Sequence, residues 1–159
     1  MEIETWKTIE SFKYSSCVEC VEDLLFRDYR VSEWIQDIVR QPDFSNDMHH
    51  ELELVVRINR LGKNIEKRFA HRYYNEIGLG IDFTARDLQQ ECKNKGLPWE
   101  KAKAFDGSAV VGAFYPKEEF DIANLKFQLY QNETIVQDGN TNAMLWKIDE
   151  LIAYVSQYF

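Results

Sequence analysis

His50-Glu51-Leu52-Glu53-Leu54-Val55-Val56 and Gly80-Ile81-Asp82-Phe83-Thr84-Ala85-Arg86-Asp87 are the two stretches around which the rest of the chain is organised. Strand side chains alternate between faces, so the first stretch, read as a strand, puts Glu51 and Glu53 on one face and Leu52 and Leu54 on the other. Two neighbouring carboxylates repel each other, and a sheltered pair needs a cation to neutralise it. Asp82 interrupts an apolar run and supplies a third carboxylate. Three such groups make a hard, all-oxygen ligand set that suits Mg²⁺ or Mn²⁺ and leaves positions for water and substrate. Taken alone, the Glu-x-Glu pair would be read as a solvated strand face, and the third carboxylate is what sharpens it.

The bulk properties set the outer limits. A chain of 159 residues, 45% hydrophobic and 29% charged, is expected to build one core of ordinary size. A formal net charge of −8 argues against nucleic acid and anionic membrane as partners, both of which need a basic footprint. No apolar run approaches the ~20 residues of a membrane span. Met1 to Trp6 lacks the basic and apolar regions of a signal peptide, so a cytoplasmic location is expected. Of the three cysteines, Cys17 and Cys20 have redox-motif or half-zinc spacing, but no second Cys or His pair accompanies them. Free thiols on a turn or helix are the preferred reading.

Along the chain, apolar residues from Val21 to Val39 recur at helical spacing, which predicts one or two helices between Cys17 and Arg40, ended by Pro42. Glu51 to Asn59 is predicted as a strand. Phe69, Ala70, Tyr73 and Ile77 predict a helix over Ile65 to Gly78, and Leu79 to Thr84 a short strand. A short helix is expected near Arg86 to Lys93, then strand and turn over Phe105 to Phe114. Leu125 to Gln131 and Thr134 to Gln137 form a hairpin in this reading, turning at Asn132-Glu133. Asn142 and Asp149 are candidate caps for the final helices. His49 and His50, adjacent on a strand, must face opposite ways; they are read as supporting or surface groups, and His71 as structural.

Several motifs, in order, resemble the fumarylacetoacetate hydrolase family, and in particular its small acylpyruvase and oxaloacetate decarboxylase-like members. They are His49 to Leu54, Asp82 to Gln89, Gly96-Leu97-Pro98-Trp99 with Ala102 to Asp106, Gln137 to Thr141 with Met144, and Ile152 to Ser156. The resemblance begins near Pro42. It implies an α+β, β-rich fold of mixed sheet or roll form, with residues 42–159 as a partial catalytic domain behind a non-family helical segment at 1–41. It also implies a homodimer, and Mg²⁺ or Mn²⁺ held by Glu51, Glu53 and Asp82. The implied substrates are small 2-oxo or 1,3-dicarbonyl acids, with Lys103 stabilising the enolate and Gln89 beside the substrate. Arg86 and Asp87 are read either as substrate contacts or as an ion pair with each other.

The sequence departs from the family in three places. No histidine precedes His49, where the family carries a water-activating His and Glu. No Thr-Gly-Thr-Pro strand follows, and Asn132-Glu133 replaces the usual Asn-Gly. The expectation is therefore an incomplete domain whose hydrolytic half-reaction is impaired. The alternative is a non-catalytic remnant or interaction protein that pairs with an intact paralogue.

Overall fold

The computed structural model describes residues 42–131 and 134–159, together with the backbone of two strands at 21–26 and 29–30. Strands β1 (Val21–Phe26), β2 (Tyr29–Arg30), β6 (Lys126–Gln131) and β7 (Thr134–Asn140) form one sheet in the order β2-β1-β6-β7. Strands β3 (Met48–Ile58), β4 (Tyr74–Ala85) and β5 (Ala109–Pro116) form a second, in the order β3-β4-β5. Every pairing within both sheets is antiparallel. The helices are α1 (Lys67–Ala70), α2 (Arg86–Lys95), α3 (Glu100–Lys103) and α4 (Ile148–Val155). The α+β, β-rich expectation holds. Among the described residues no helix is long and apolar enough to cross a membrane.

Strict alternation along β4 decides the packing. Ile77, Leu79, Ile81 and Phe83 are all buried and point to one side. On β3, Leu52 lies opposite Ile81, Leu54 opposite Leu79 and Val56 opposite Ile77, so both strands present one apolar face. Leu129 of β6 and Leu125, just before that strand, join this cluster, and Ile148 joins it from α4. A fully buried side chain of this size contributes roughly 1.5–3 kcal/mol, so this shared core is what holds the two sheets together.

The opposite face of β4 reads Gly78, Gly80, Asp82, Thr84, and its glycines are sterically required. The β4–β5 register shifts between Gly78 and Gly80 and brings the backbone of β5 close. A Cβ on Gly78 would sit 2.7 Å from the Ala113 carbonyl oxygen, and one on Gly80 would sit 2.9 Å from that of Val110. This bare strip runs directly up to Asp82.

The structure corrects several readings. The helix expected over Ile65 to Gly78 shrinks to α1, and Tyr74 already begins β4. Ile77 counted as the fourth member of a helical stripe, but it is the first of the alternating series 77, 79, 81, 83, and that long-range pairing prevails. Val21–Phe26 and Tyr29–Arg30 are strands where helix was expected; the rest of 17–40 lies outside the described residues, as does the Asn132-Glu133 turn. Asn140, not Asn142, provides the cap at Thr141–Ala143, its side chain accepting from Asn142 N at 2.9 Å. Asp149 lies inside α4, whose first turn is closed by Glu150 accepting from Lys147 N at 2.8 Å. Helix α2 forms as expected and ends at Gly96, whose φ of 62° suits glycine.

Candidate metal centre

Pairing of β3 with β4 assembles the carboxylates. Glu51 lies opposite Asp82 and Glu53 opposite Gly80, so all three acidic side chains project from the face that turns away from the core. Gly80, opposite Glu53, adds no side chain to this face. One oxygen from each of Glu51, Glu53 and Asp82 falls within 4.8 Å of the others. The three predicted ligands are thus brought together, although they are separated by up to 31 positions in sequence.

Two cations meet them from the α2–α3 layer. The turn of α3 is pinned by Ala102, which is fully buried, and this directs Lys103 at the carboxylates. Lys103 Nζ donates to Glu51 Oε2 at 2.6 Å and to Asp82 Oδ2 at 2.7 Å. Arg86, the first residue of α2, donates to Glu51 Oε1 at 2.5 Å and to Gln89 Oε1 at 2.9 Å. Three carboxylates against two cations give the cluster a formal charge of one net negative unit. Glu53 has no ion-pair partner among the described residues.

The electrostatics follow from this arrangement. Burial acts to raise the pKa of Glu51, but hydrogen bonds from Lys103 and Arg86 outweigh it and hold the carboxyl below its ordinary value. Glu53 is pushed up by partial burial and by the facing charges of Asp82 and Glu51. Since Glu53 keeps solvent contact, the like charges are the better physical account of its shift. Partial burial works against the Lys103 ammonium, yet its bonds to Asp82 and Glu51 raise it above the ordinary lysine value. Lys103 therefore stays charged at neutral pH.

Arg86 also borders an open cleft of about 850 Å³, lined in addition by Asp47, His49, Asp87 and Gln89. Arg86 and Asp87 do not pair with each other, because adjacent residues at a helix start point apart. Asp87 instead accepts from Ser45 Oγ at 2.7 Å and from Asn46 N at 3.1 Å, tying α2 to the loop before β3. Burial acts to raise its pKa, yet these bonds hold the carboxyl below the ordinary value. His49 is exposed on the carboxylate face and bonds Asp47 at 3.1 Å. His50 shares the core-side face with Leu52, where burial, and then the charge of His49, lower its pKa. His71 caps α1, and its carbonyl accepts from Lys117. Sequence reasoning missed the Arg86–Glu51 pair and the roles of Ser45 and Asp47, whose only signal is their place before the strand.

The chain is similar to several known proteins. The profile described as fumarylacetoacetate (FAA) hydrolase C-terminal matches residues 30–159, beginning before the boundary expected at Pro42. The mitochondrial oxaloacetate tautomerase FAHD1 of Bos taurus is 43% identical over 117 residues, covering 73% of this chain and 53% of its own. Oxaloacetate tautomerase YcgM of Escherichia coli is 39% identical over 128 residues, covering 76% of this chain and 58% of its own. A fumarylpyruvate hydrolase from Pseudomonas aeruginosa, solved in complex with Mn²⁺ and pyruvate, superposes with a TM-score of 0.70 at 31% identity. That match covers 75% of this chain and 52% of the hydrolase. The chain spans about half the length of the relatives it matches. It belongs to the fumarylacetoacetate hydrolase family.

Proposed function

We propose that the chain carries the metal-and-enolate chemistry of its family, acting on small 2-oxo or 1,3-dicarbonyl acids of the oxaloacetate or acylpyruvate type. The observation that carries this reading is the convergence of Glu51, Glu53 and Asp82 within 4.8 Å, with Lys103 aimed at the same point. The donor set fits Mg²⁺ or Mn²⁺: it is all carboxylate, its formal charge is net negative, and among the described residues no cation pairs with Glu53. The Pseudomonas relative was solved with Mn²⁺ and pyruvate, which supports this choice of ion and substrate class. When bound, the ion supplies a Lewis acid that polarises the oxo oxygen.

The chain's own residues supply the rest. Lys103 keeps a positive charge beside the place where an enolate oxygen would develop, and this lowers the barrier electrostatically. Arg86 presents a guanidinium to the cleft and orients Gln89, so the two form the edge that receives the substrate's carboxylate end. Asp87 contributes indirectly, by fixing the start of α2. Enol–keto conversion and decarboxylation need this charge stabilisation and a proton from solvent. Hydrolysis also needs an activated water, so we place the first two ahead of it. The test follows decay of the oxaloacetate enol by ultraviolet absorbance with Mn²⁺ present. Turnover is expected from the full chain; a rate equal to that of a Glu51→Gln, Glu53→Gln control would remove the proposal.

One observation favours a second reading. Lys103 and Arg86 already neutralise Glu51 and Asp82, so the cluster is also stable as an ion-pair network in a non-catalytic interaction protein. A chain that unfolds cooperatively, ignores Mn²⁺ and forms heteromers with an intact paralogue would establish this reading. Self-association as a homodimer is part of our main reading, and light scattering tests it. The names of the mammalian relatives specify mitochondria, so kinship does not support the cytoplasmic expectation.

A further inference from the structure

Gln137 makes a pair of bonds that the chemistry above leaves unused. Its Oε1 accepts from Leu52 N at 2.8 Å, and its Nε2 donates to the Leu52 carbonyl at 2.7 Å. Leu52 is the residue between Glu51 and Glu53, and among the described residues β3 is an edge strand of its sheet. In an antiparallel ladder, alternate residues direct their backbone groups toward the neighbouring strand, and the residues between them direct theirs outward. Leu52 is of the outward kind, and the Gln137 amide answers both of its backbone groups as a further strand would.

Gln137 reaches this point from the other sheet. It pairs with Leu129 across β6 and β7, and Leu129 is fully buried in the shared core. The primary amide spans the gap between the two sheets at this single residue. Both bonds are partly buried, so leaving the Leu52 groups unpaired would carry a desolvation penalty. Fixing the N–H and the carbonyl of Leu52 fixes the peptide planes on both sides of it. Those planes carry the Cα atoms of Glu51 and Glu53.

We infer that Gln137 is a positioning residue for the carboxylate pair, a side-chain clamp that holds Glu51 and Glu53 in register for a divalent cation. The inference rests on the metal reading proposed above and adds a residue that touches neither ion nor substrate. Losing the clamp frees the outer edge of β3 while its register with β4 remains, so ligand geometry suffers more than the fold does. Partners that orient metal ligands in this way typically account for about 10–100-fold in metal affinity.

The test measures Mn²⁺ binding by the full chain, using the electron paramagnetic resonance signal of free Mn²⁺, together with amide hydrogen exchange at Leu52. Gln137→Met removes both bonds at similar volume. Gln137→Glu keeps the acceptor and loses the donor, and it serves if the first variant folds poorly. Thr141→Val is the control: it removes the buried bond from Leu125 N to Thr141 Oγ1 (2.8 Å), away from the carboxylates. The expected result is a tenfold or greater loss of Mn²⁺ affinity in Gln137→Met and a smaller loss in Gln137→Glu, with faster exchange at Leu52 in Gln137→Met, where its N–H has lost its acceptor, and near wild-type exchange in Gln137→Glu, which keeps it. Thr141→Val should lower the melting temperature yet bind Mn²⁺ within twofold of wild type. Affinity within twofold of wild type in Gln137→Met overturns the inference. So does an equal loss in Thr141→Val, which would mean general loosening. A wild-type chain that binds no Mn²⁺ overturns the metal reading and this inference together.

Discussion

Replacing Lys103 with methionine isolates the electrostatic strain that the fold has built into the carboxylate cluster. Lys103 is the only cation that touches both Glu51 and Asp82 among the described residues. Its side chain is 23% exposed, and those of Glu51 and Asp82 are 34% and 30% exposed. Fully exposed pairs contribute about 0–1 kcal/mol, whereas removing one partner of a buried pair costs about 3–5 kcal/mol. The intermediate exposure places the loss near ~2 kcal/mol. For a chain of this size each kcal/mol shifts the melting temperature by about 2–4 °C, so the metal-free variant should melt about 4–8 °C below wild type. With Mn²⁺ the order of effects reverses. The ion no longer competes with an ammonium group for Glu51 and Asp82, so the variant gains more from Mn²⁺ than wild type does. A ligand at a hundredfold excess over its dissociation constant stabilises by about 2.7 kcal/mol. Circular dichroism melts of both proteins, with and without Mn²⁺, supply all four values. Equal melting temperatures in the absence of metal, together with equal shifts on adding it, would refute the reasoning.

Glu53→Gln should act in the opposite direction when metal is absent. The folded pKa of Glu53 lies above the ordinary 4.5, so the folded state holds this proton more tightly than the unfolded chain does. That stabilising contribution is complete below about pH 4.5 and is lost as pH rises through the folded value. The variant should therefore be more stable than wild type at pH 7, by under about 1 kcal/mol given its solvent contact, and the advantage should vanish on acidification. Urea melts at several pH values would show this, and a variant less stable at pH 7 would contradict it. Gly80→Ala should cost about 1–3 kcal/mol in the same melts, because the added methyl would meet Val55 Cγ2 at 2.7 Å and the Val110 carbonyl oxygen, a backbone atom of β5, at 2.9 Å. Ser45→Ala should cost about 1 kcal/mol by removing the bond to Asp87, and should raise hydrogen exchange at the start of α2.

The carboxylate site was legible because strand alternation alone puts Glu51 and Glu53 on one face, and Asp82 breaks an apolar run on the next strand. The core was legible for the same reason, through Leu52, Leu79, Ile81 and Phe83. The path of the chain between those strands was not. Phe69, Ala70, Tyr73 and Ile77 fit a helical period over a short window, and only the pairing of Ile77 with Val56 reveals that it belongs to a strand. Likewise, Val21 to Phe26 carries apolar residues that satisfy either period, and its partner on β6 decides for strand. The Arg86–Glu51 and Gln137–Leu52 contacts join residues 35 and 85 positions apart, so no local spacing announces them. Local pattern identifies a face, whereas register determines what that face meets.

The central claim is that Glu51, Glu53 and Asp82 form a divalent-cation site, and titration of the full chain with Mn²⁺, read by electron paramagnetic resonance, tests it most directly. One equivalent bound per chain, with affinity reduced at least a hundredfold in Glu51→Gln, Glu53→Gln, is the result expected. No saturable binding, or binding that survives the double substitution, would contradict the claim and leave the cluster as an ion-pair network.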